Sequence, residues 1–220
     1  MTSNERALRL FSTPVIVGTI DGAEALNAEL EAAIRDQMKS TASVKKSNVG
    51  GWHSKTDFLD WSGEAGRRVA DAAVELANAH TAHISGKPVA PRWRIAAWAN
   101  VSGPRDSHAT HVHPAAFWSV VYYVRVVGAS GGSLVLNDPR MPALRMHAPW
   151  LLFKDMGPEA MARIKPEPGQ IVLFPSWLAH SVDPWEGDGE RISIALNLTA
   201  PMPPGNAVKK PQQAKKTGKK

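Results

Sequence analysis

The pattern of hydrophobic and polar residues divides the chain into a helical first part and a strand-rich second part. Large aliphatic residues recur every four positions from Leu26 to Met38, which predicts an amphipathic helix packed by one face. A second helix is expected from Ser62, which can cap it, toward Ile84. A strand is expected before both helices, at residues 10–18, where a proline favours a position at a sheet edge.

Beyond residue 90 the pattern changes to short runs of β-branched and aromatic residues between glycines and prolines. These runs predict strands at 92–100, 117–127, 133–137, near Leu151, at 170–174 and at 191–198. Two helices followed by many short strands are typical of a mainly β, α+β protein, either a β-sandwich or a jelly roll with the helices packed outside. We expect one domain over residues 1–200, helical at about 1–90 and β at about 91–199, and a disordered basic tail at 201–220.

The composition is that of a globular protein without cysteine. Hydrophobic residues make up 43% of the 220 residues, enough to bury a core in one large domain. Because cysteine is absent, a metal ion would have to be held by histidine and carboxylate ligands. The chain shows neither a membrane-spanning run nor a signal-peptide pattern, so we expect a cytoplasmic protein with no membrane partner.

The formal net charge of +6 comes from the end of the chain. Six of the 26 lysines and arginines lie within residues 209–220, which contain no acidic residue, so 20 basic residues balance 20 acidic ones elsewhere. The expected folded part is therefore neutral, and we expect no nucleic-acid partner.

Three histidines, His108, His111 and His113, fall within six residues beside the most strand-like segment. If His111 and His113 lie on one strand, both rings point to the same face, roughly 6.6 Å apart along the backbone. His180 is the best candidate for a third ligand. The sequence thus predicts a metal site at His111, His113 and His180, although a polar strand face explains the first two equally well when they are considered alone.

The last predicted strand alternates strictly between two kinds of residue. Arg191, Ser193, Ala195 and Asn197 share one face, and aliphatic residues occupy the other. A turn between His180 and this strand would place the arginine in the same pocket as the metal. An arginine there suits a ligand with a carboxylate, which it can bind through two charge-assisted hydrogen bonds.

Several motifs follow one another in a fixed order over residues 91–199. They are His-Val-His at 111–113, Val-Tyr-Tyr-Val at 121–124, Gly-Gly-Ser-Leu-Val-Leu at 131–136, His180, and Arg-Ile-Ser at 191–193. In this order they resemble the iron(II)- and 2-oxoglutarate-dependent dioxygenases. Trp-Ala-Asn at 98–100, His-x-His-Pro at 111–114, Asn-Asp-Pro-Arg at 137–140 and Phe-Pro-Ser-Trp at 174–177 resemble a bacterial branch of that superfamily.

The resemblance implies a double-stranded β-helix core, a jelly roll, with Fe(II) at its open end. It assigns two metal-binding histidine positions to His111 and His180. It also implies that Arg191 and Ser193 hold the distal carboxylate of 2-oxoglutarate, and that Tyr123 donates its hydroxyl to the same group. Asn100 is expected to contact the cosubstrate or the substrate.

His113 stands where the family pattern has aspartate or glutamate. A three-histidine face keeps the ligand geometry but removes one negative charge, so the iron becomes more electrophilic. Two alternatives stay open. Asp106 or Asp138 supplies a carboxylate with His113 behind it, or oxygenase activity has been lost.

The expected function is that of an iron(II)- and 2-oxoglutarate-dependent dioxygenase that hydroxylates a small molecule or a peptide. O₂ is consumed, and succinate and CO₂ are released. The alternative is a cupin-like metal-binding module with three histidines and no 2-oxoglutarate. Arg191 discriminates between the two, since such a module does not need an arginine there. A homodimer is the candidate assembly.

Overall fold

A computed structural model of the chain describes residues 11–128, 130–141, 148, 150–151 and 160–201. The predicted domain bounds at 1–200 and the predicted tail at 201–220 extend beyond these residues and stay predictions. Within the described residues, no helix is both long and apolar enough to span a membrane.

The described chain has three helices in its first part and strands throughout. The helices are α1 (Ala23–Ser40), α2 (Phe58–Trp61) and α3 (Gly63–Ala79). The strands are β1 (Ile16–Thr19), β2 (Asn48–Val49), β3 (Trp52–His53), β4 (Arg94–Ser102), β5 (Ser107–His111), β6 (Trp118–Val127), β7 (Ser130–Gly131), β8 (Leu134–Asn137), β9 (Met161–Ile164), β10 (Gln170–Pro175), β11 (His180–Val182), β12 (Trp185–Glu186) and β13 (Glu190–Thr199).

The two long helices form where the hydrophobic period predicts them. Helix α1 buries Leu26, Leu30 and Ile34 on one stripe. Helix α3 begins directly after Ser62, as expected, but the Ser62 side chain makes no capping hydrogen bond, and the helix ends at Ala79 rather than near Ile84. At this end the Thr81 hydroxyl donates to the Ala77 carbonyl at 2.6 Å and satisfies one of the terminal acceptors of the helix.

Two antiparallel sheets make up the β part. The major sheet has six strands in the order β1-β10-β6-β13-β4-β3, and the minor sheet has five in the order β2-β5-β11-β8-β9. Strands β7 and β12 form a separate two-stranded ribbon. With the helices on one side of the major sheet and the minor sheet on the other, the predicted class is confirmed: mainly β, with a double-stranded β-helix core and N-terminal helices outside.

The predicted strands are found, with one correction. Strand β1 lies at a sheet edge, as expected from the proline that precedes it. The correction concerns the strand predicted near Leu151: Leu151 itself is not in a strand, because its N–H donates to the Ala148 carbonyl in a turn. Residues 149 and 152–159 around it lie outside the described part of the chain. The neighbouring strand is β9, whose largely exposed residues at the sheet edge give no hydrophobic alternation to detect.

Strand β13 serves two different environments. Its aliphatic face packs in the main core with the helices, through Ile192, Ile194, Leu196 and Leu198. The opposite face, carrying Arg191, Ser193, Ala195 and Asn197, lines a cavity between the two sheets. The alternation predicted for this strand therefore separates the structural core from the candidate site.

Candidate metal and cosubstrate site

The cavity between the two sheets has an empty volume of about 510 Å³. Strands β4, β6, β10 and β13 of the major sheet line one side, and β5, β8 and β11 of the minor sheet line the other. Its polar lining residues are Ser47, Asn100, His108, His111, His113, Ser119, His180, Arg191, Ser193 and Asn197. Four of the histidines in the chain thus face one space.

His111 and His180 are brought together by strand pairing. His111 is the last residue of β5, and its register partner is His180, the first residue of β11. Their ring centroids lie 4.3 Å apart. Because directly opposed residues on neighbouring strands point to the same face of a sheet, both rings project from the minor sheet into the cavity.

His113 reaches the same place by a different route from the one the sequence suggested. Strand β5 ends at His111, so the two-residue strand period does not position the third ring. His113 lies in the following turn, which includes Ala115 at a positive φ of 70°. Its N–H donates to the Ser176 carbonyl at 3.0 Å, which fixes the backbone against the loop before β11. The His113 ring then lies 4.9 Å from His111 and 5.0 Å from His180, between centroids.

The three rings present nitrogen atoms that can converge on one ion. One ring nitrogen from each of His111, His113 and His180 lies within 4.8 Å of the other two. Nδ1 of His111 donates to the Ala109 carbonyl at 2.7 Å, and Nδ1 of His180 donates to the Leu178 carbonyl at 2.8 Å. Since a carbonyl only accepts, both rings carry their proton on Nδ1 and leave Nε2 with a free lone pair, as metal-binding histidines do.

Burial keeps these imidazoles neutral. Removal from water lowers the pKa of His180 to about 3 and that of His113 to about 4, and it also lowers the pKa of His111. At neutral pH each ring is therefore neutral and keeps one nitrogen with a free lone pair, which is the form that binds metal.

Neither alternative carboxylate joins the histidines. Asp106 accepts the Gly103 N–H at 2.7 Å in the loop between β4 and β5. Asp138 pairs with Arg140, and the shortest of their contacts is 2.7 Å. Among the described residues, the three histidines are the one group of His, Asp and Glu side chains close enough to share an ion.

Arg191 forms the other end of the cavity and is only 2% exposed. Nη1 donates to the Gly132 carbonyl at 3.0 Å, and Nη2 donates to the Ser102 hydroxyl at 3.1 Å. Gly132 has a φ of 63°, and a Cβ there would meet the Trp185 ring at 2.7 Å, so a glycine lets this carbonyl approach the guanidinium. Within the described part of the chain, no carboxylate pairs with Arg191, so a buried cation lacks a counter-ion.

Unpaired polar atoms surround that cation. The Arg191 Nε, the Tyr123 hydroxyl and the Asn100 Oδ1 are buried without a hydrogen-bond partner among the described residues. Burial raises the pKa of Tyr123 to about 12, so its hydroxyl keeps its proton as a donor. Ser193, the register partner of Asn100, also lines the cavity. Buried donors without partners are costly, which indicates a place for an acceptor-rich ligand.

Sequence reasoning missed two polar residues near the histidines. Ser47, which precedes β2, lies 3.4 Å from both His108 Nδ1 and His111 Nε2 through its hydroxyl. His108 lines the cavity toward Arg191, and burial lowers its pKa to about 3. The proximity of His108 in sequence was a usable signal, whereas Ser47 lies in a polar loop whose composition gives none.

The comparisons with known proteins agree with this arrangement. Residues 96–197 match the model of a family described as "Putative 2OG-Fe(II) oxygenase", where 2OG is 2-oxoglutarate. The matched segment runs from β4 to β13 and contains all seven site residues that the sequence predicted. A comparison with curated protein sequences gives no match.

Solved structures share the fold at low sequence identity. A prolyl-4-hydroxylase from Pseudomonas putida is 16% identical, with a TM-score of 0.60 over 87% of this chain and 95% of that one. A prolyl hydroxylase from Trichoplax adhaerens, in complex with a hypoxia inducible factor peptide fragment, is 14% identical, with a TM-score of 0.60 over 84% and 83%. HygX from Streptomyces hygroscopicus, with nickel and 2-oxoglutarate bound, is 14% identical, with a TM-score of 0.56 over 86% and 83%.

Proposed function

We propose that this chain, whose residues 96–197 match the model of the 2OG-Fe(II) oxygenase family, is a member of that family and a dioxygenase that hydroxylates a small molecule or a peptide. Fe(II) and 2-oxoglutarate are the cofactor and cosubstrate typical of that family. When bound, they supply an oxidant: O₂ and 2-oxoglutarate give succinate and CO₂ while one oxygen atom enters a substrate C–H bond. The protein contributes binding, orientation and exclusion of water.

The observation that carries the proposal is the convergence of three neutral imidazoles beside a buried, uncompensated arginine. Nε2 of His111 and of His180 would hold Fe(II), together with a ring nitrogen of His113. The donor set fits the metal, because the nitrogens are unprotonated and two rings are oriented by backbone carbonyls. Three ligands on one side leave the remaining positions of the ion for the cosubstrate and O₂.

The Arg191 end of the cavity fits the distal carboxylate of 2-oxoglutarate. Arg191 Nε and the Tyr123 hydroxyl are donors without partners, and a carboxylate is the acceptor-only group that satisfies both. Ser193 would donate a further hydrogen bond, and Asn100 would contact either the cosubstrate or the substrate. Binding of the dianion would also supply negative charge that a three-histidine ligand set lacks.

The cupin-like alternative explains the histidines but not Arg191. A module that binds only metal gains nothing from a guanidinium that is desolvated and left without a counter-ion, since an unpaired buried charge is unfavourable. Arg191 therefore favours a carboxylate ligand.

Anaerobic titration of the Fe(II)-loaded protein with 2-oxoglutarate tests the proposal. We expect the weak visible absorption band of a metal-chelated 2-oxo acid in the wild type and its loss in His113→Ala. The matched control is His83→Ala, which removes an exposed histidine outside the cavity and should leave the band unchanged. A wild type that binds metal without developing the band would contradict the proposal and favour the cupin-like module.

A further inference from the structure

The cavity has a second polar patch, formed by Ser119 on β6 and Asn197 on β13. The two residues are direct register partners, and both line the cavity. Arg191 lies at the other end of the same face of β13, so the backbones of Arg191 and Asn197 are about 20 Å apart along the strand.

Aromatic residues next to this patch pack on the candidate metal-binding histidines. Trp98, opposite Ala195 on β13, has its ring centroid 5.6 Å from that of His113. Phe174, opposite Ser119 on β10, has its ring centroid 4.8 Å from that of His180. The Ser119–Asn197 pair therefore lies at the histidine end of the cavity, next to the aromatic rings that pack on His113 and His180, and away from Arg191.

The hydrogen bonding of the pair leaves polar groups unused toward the cavity. The Ser119 hydroxyl donates to Asn197 Oδ1 at 3.0 Å, which also identifies Oδ1 as the acceptor end of the amide. The two Nδ2 hydrogens of Asn197 have no partner among the described residues, and the Ser119 oxygen keeps its lone pairs. The pair thus presents a donor and an acceptor side by side.

The surroundings of the pair are uncharged and largely apolar. The indole of Trp98 and the ring of Phe174 flank it, and Val120 and Val121 complete this part of the lining. The charged side chain lining the described cavity is Arg191, at the far end. A charged group of a ligand would find no counter-ion next to the pair, whereas a neutral polar group would be satisfied there.

We infer that Ser119 and Asn197 bind a neutral hydrogen-bonding group of the substrate, an amide or a hydroxyl, carried on an apolar body that packs between Trp98 and Phe174. This inference rests on the proposed function, because it takes the histidines as the reaction centre. It assigns Asn197 the role of selecting the substrate, and the substrate class is a neutral amide or alcohol rather than an anion or an amine.

Two small probes test the inference by binding alone. Benzamide and benzylamine share a ring and differ in carrying a neutral amide or a cationic amine. Chemical-shift titration of the Trp98 indole N–H in the metal-free protein should show saturable benzamide binding and weaker benzylamine binding. Asn197→Leu should weaken benzamide binding by about tenfold, because the hydrogen bond from a half-buried amide inside the cavity is lost. Asn197→Asp should reverse the preference between the two probes.

The matched control is Asn27→Leu, which removes an asparagine that accepts the Tyr122 hydroxyl at 2.7 Å outside the cavity. It should leave both affinities unchanged. Absence of benzamide binding to the wild type, equal affinity for both probes, or an undiminished affinity in Asn197→Leu would overturn the inference. The 2-oxoglutarate absorption band should survive in Asn197→Leu. Absence of the absorption band from the wild type would instead refute the proposed function. The benzamide and benzylamine affinities would still test the binding role of Asn197 on their own.

Discussion

The two walls of the cavity differ in both rigidity and chemistry. The minor sheet contributes imidazoles from strand ends and a turn, where His111 and His113 are partly exposed. The major sheet contributes Arg191 and Ser193 from a central strand, which is paired on both sides from Arg191 to Leu198. The wall of the minor sheet therefore offers neutral imidazoles near the opening, and the wall of the major sheet offers the fixed Arg191 cation deep inside.

This difference suits the two walls to binding different ligands, a metal ion on one and an organic acid on the other. A metal ion pulls its ligands toward it, so moderate freedom of the histidine rings is tolerated. A carboxylate must meet donors whose directions are already set, and a strand buried on both faces sets them. The histidine wall should therefore control metal affinity, and the arginine wall should control cosubstrate affinity.

Removing His180 is expected to have the largest effect on the histidine wall. His180→Ala deletes the ligand that is 4% exposed and oriented by the Leu178 carbonyl, so Fe(II) affinity should fall by more than about 100-fold. Equilibrium titration with Fe(II) under anaerobic conditions measures this. His83→Ala is the control, and an unchanged affinity in His180→Ala would remove this residue from the ligand set.

Arg191→Met separates the two walls. The apolar side chain keeps much of the volume but cannot pair with a carboxylate, so the affinity for 2-oxoglutarate should fall by about 100-fold. The Fe(II) affinity should stay within about twofold of the wild-type value. Both affinities can be measured on the same sample. A parallel loss of metal binding would show that the two walls are not independent.

The charge at position 113 should have a smaller effect. His113→Asp restores the carboxylate of the common family pattern, and His113→Asn is its uncharged match. We expect the Asp variant to bind Fe(II) about tenfold more tightly than the Asn variant, because only the former adds a negative charge beside the ion. Equal affinities for the two variants would mean that the charge at this position is immaterial.

A further prediction concerns a different property, the stability of the metal-free protein at acid pH. Burial lowers the pKa of His180 from 6.5 to about 3, so between these values the unfolded chain binds a proton there and the native protein does not. This contribution to stability is complete above pH 6.5 and is lost as the pH falls toward 3. Urea unfolding should show a decline that His180→Leu flattens by about 1.4 kcal/mol per pH unit. His83→Leu should retain the wild-type slope.

The sequence predicted features whose physical cause is local. Helix α1 follows from the four-residue period of Leu26, Leu30 and Ile34, and the two faces of β13 follow from alternation alone. The predicted metal and cosubstrate residues stay predictions as ligands, although the fold brings Arg191 and the three histidines into one cavity.

What the sequence could not provide depends on distant pairing. His113 reaches its place through a turn tied to Ser176, not through the strand period. Ser47 approaches His111 because β2 pairs with β5, and no local pattern marks that contact. Strand β9 is exposed at a sheet edge, so its residues carry no periodic signal. These placements are set by tertiary contacts between segments far apart in the chain.

The segment that matches the family is not a minimal folding unit. Arg35 of α1 contacts Glu190 directly before Arg191, and Arg125 of β6 contacts both Glu190 at 3.2 Å and Glu31 at 3.3 Å. These partly exposed ion pairs are individually weak, but they join α1 to the strand that carries Arg191. A fragment limited to residues 96–197 would also uncover the aliphatic face of β13, so we expect it to aggregate when expressed alone. Shortened versions of this protein should therefore retain α1, which braces β13.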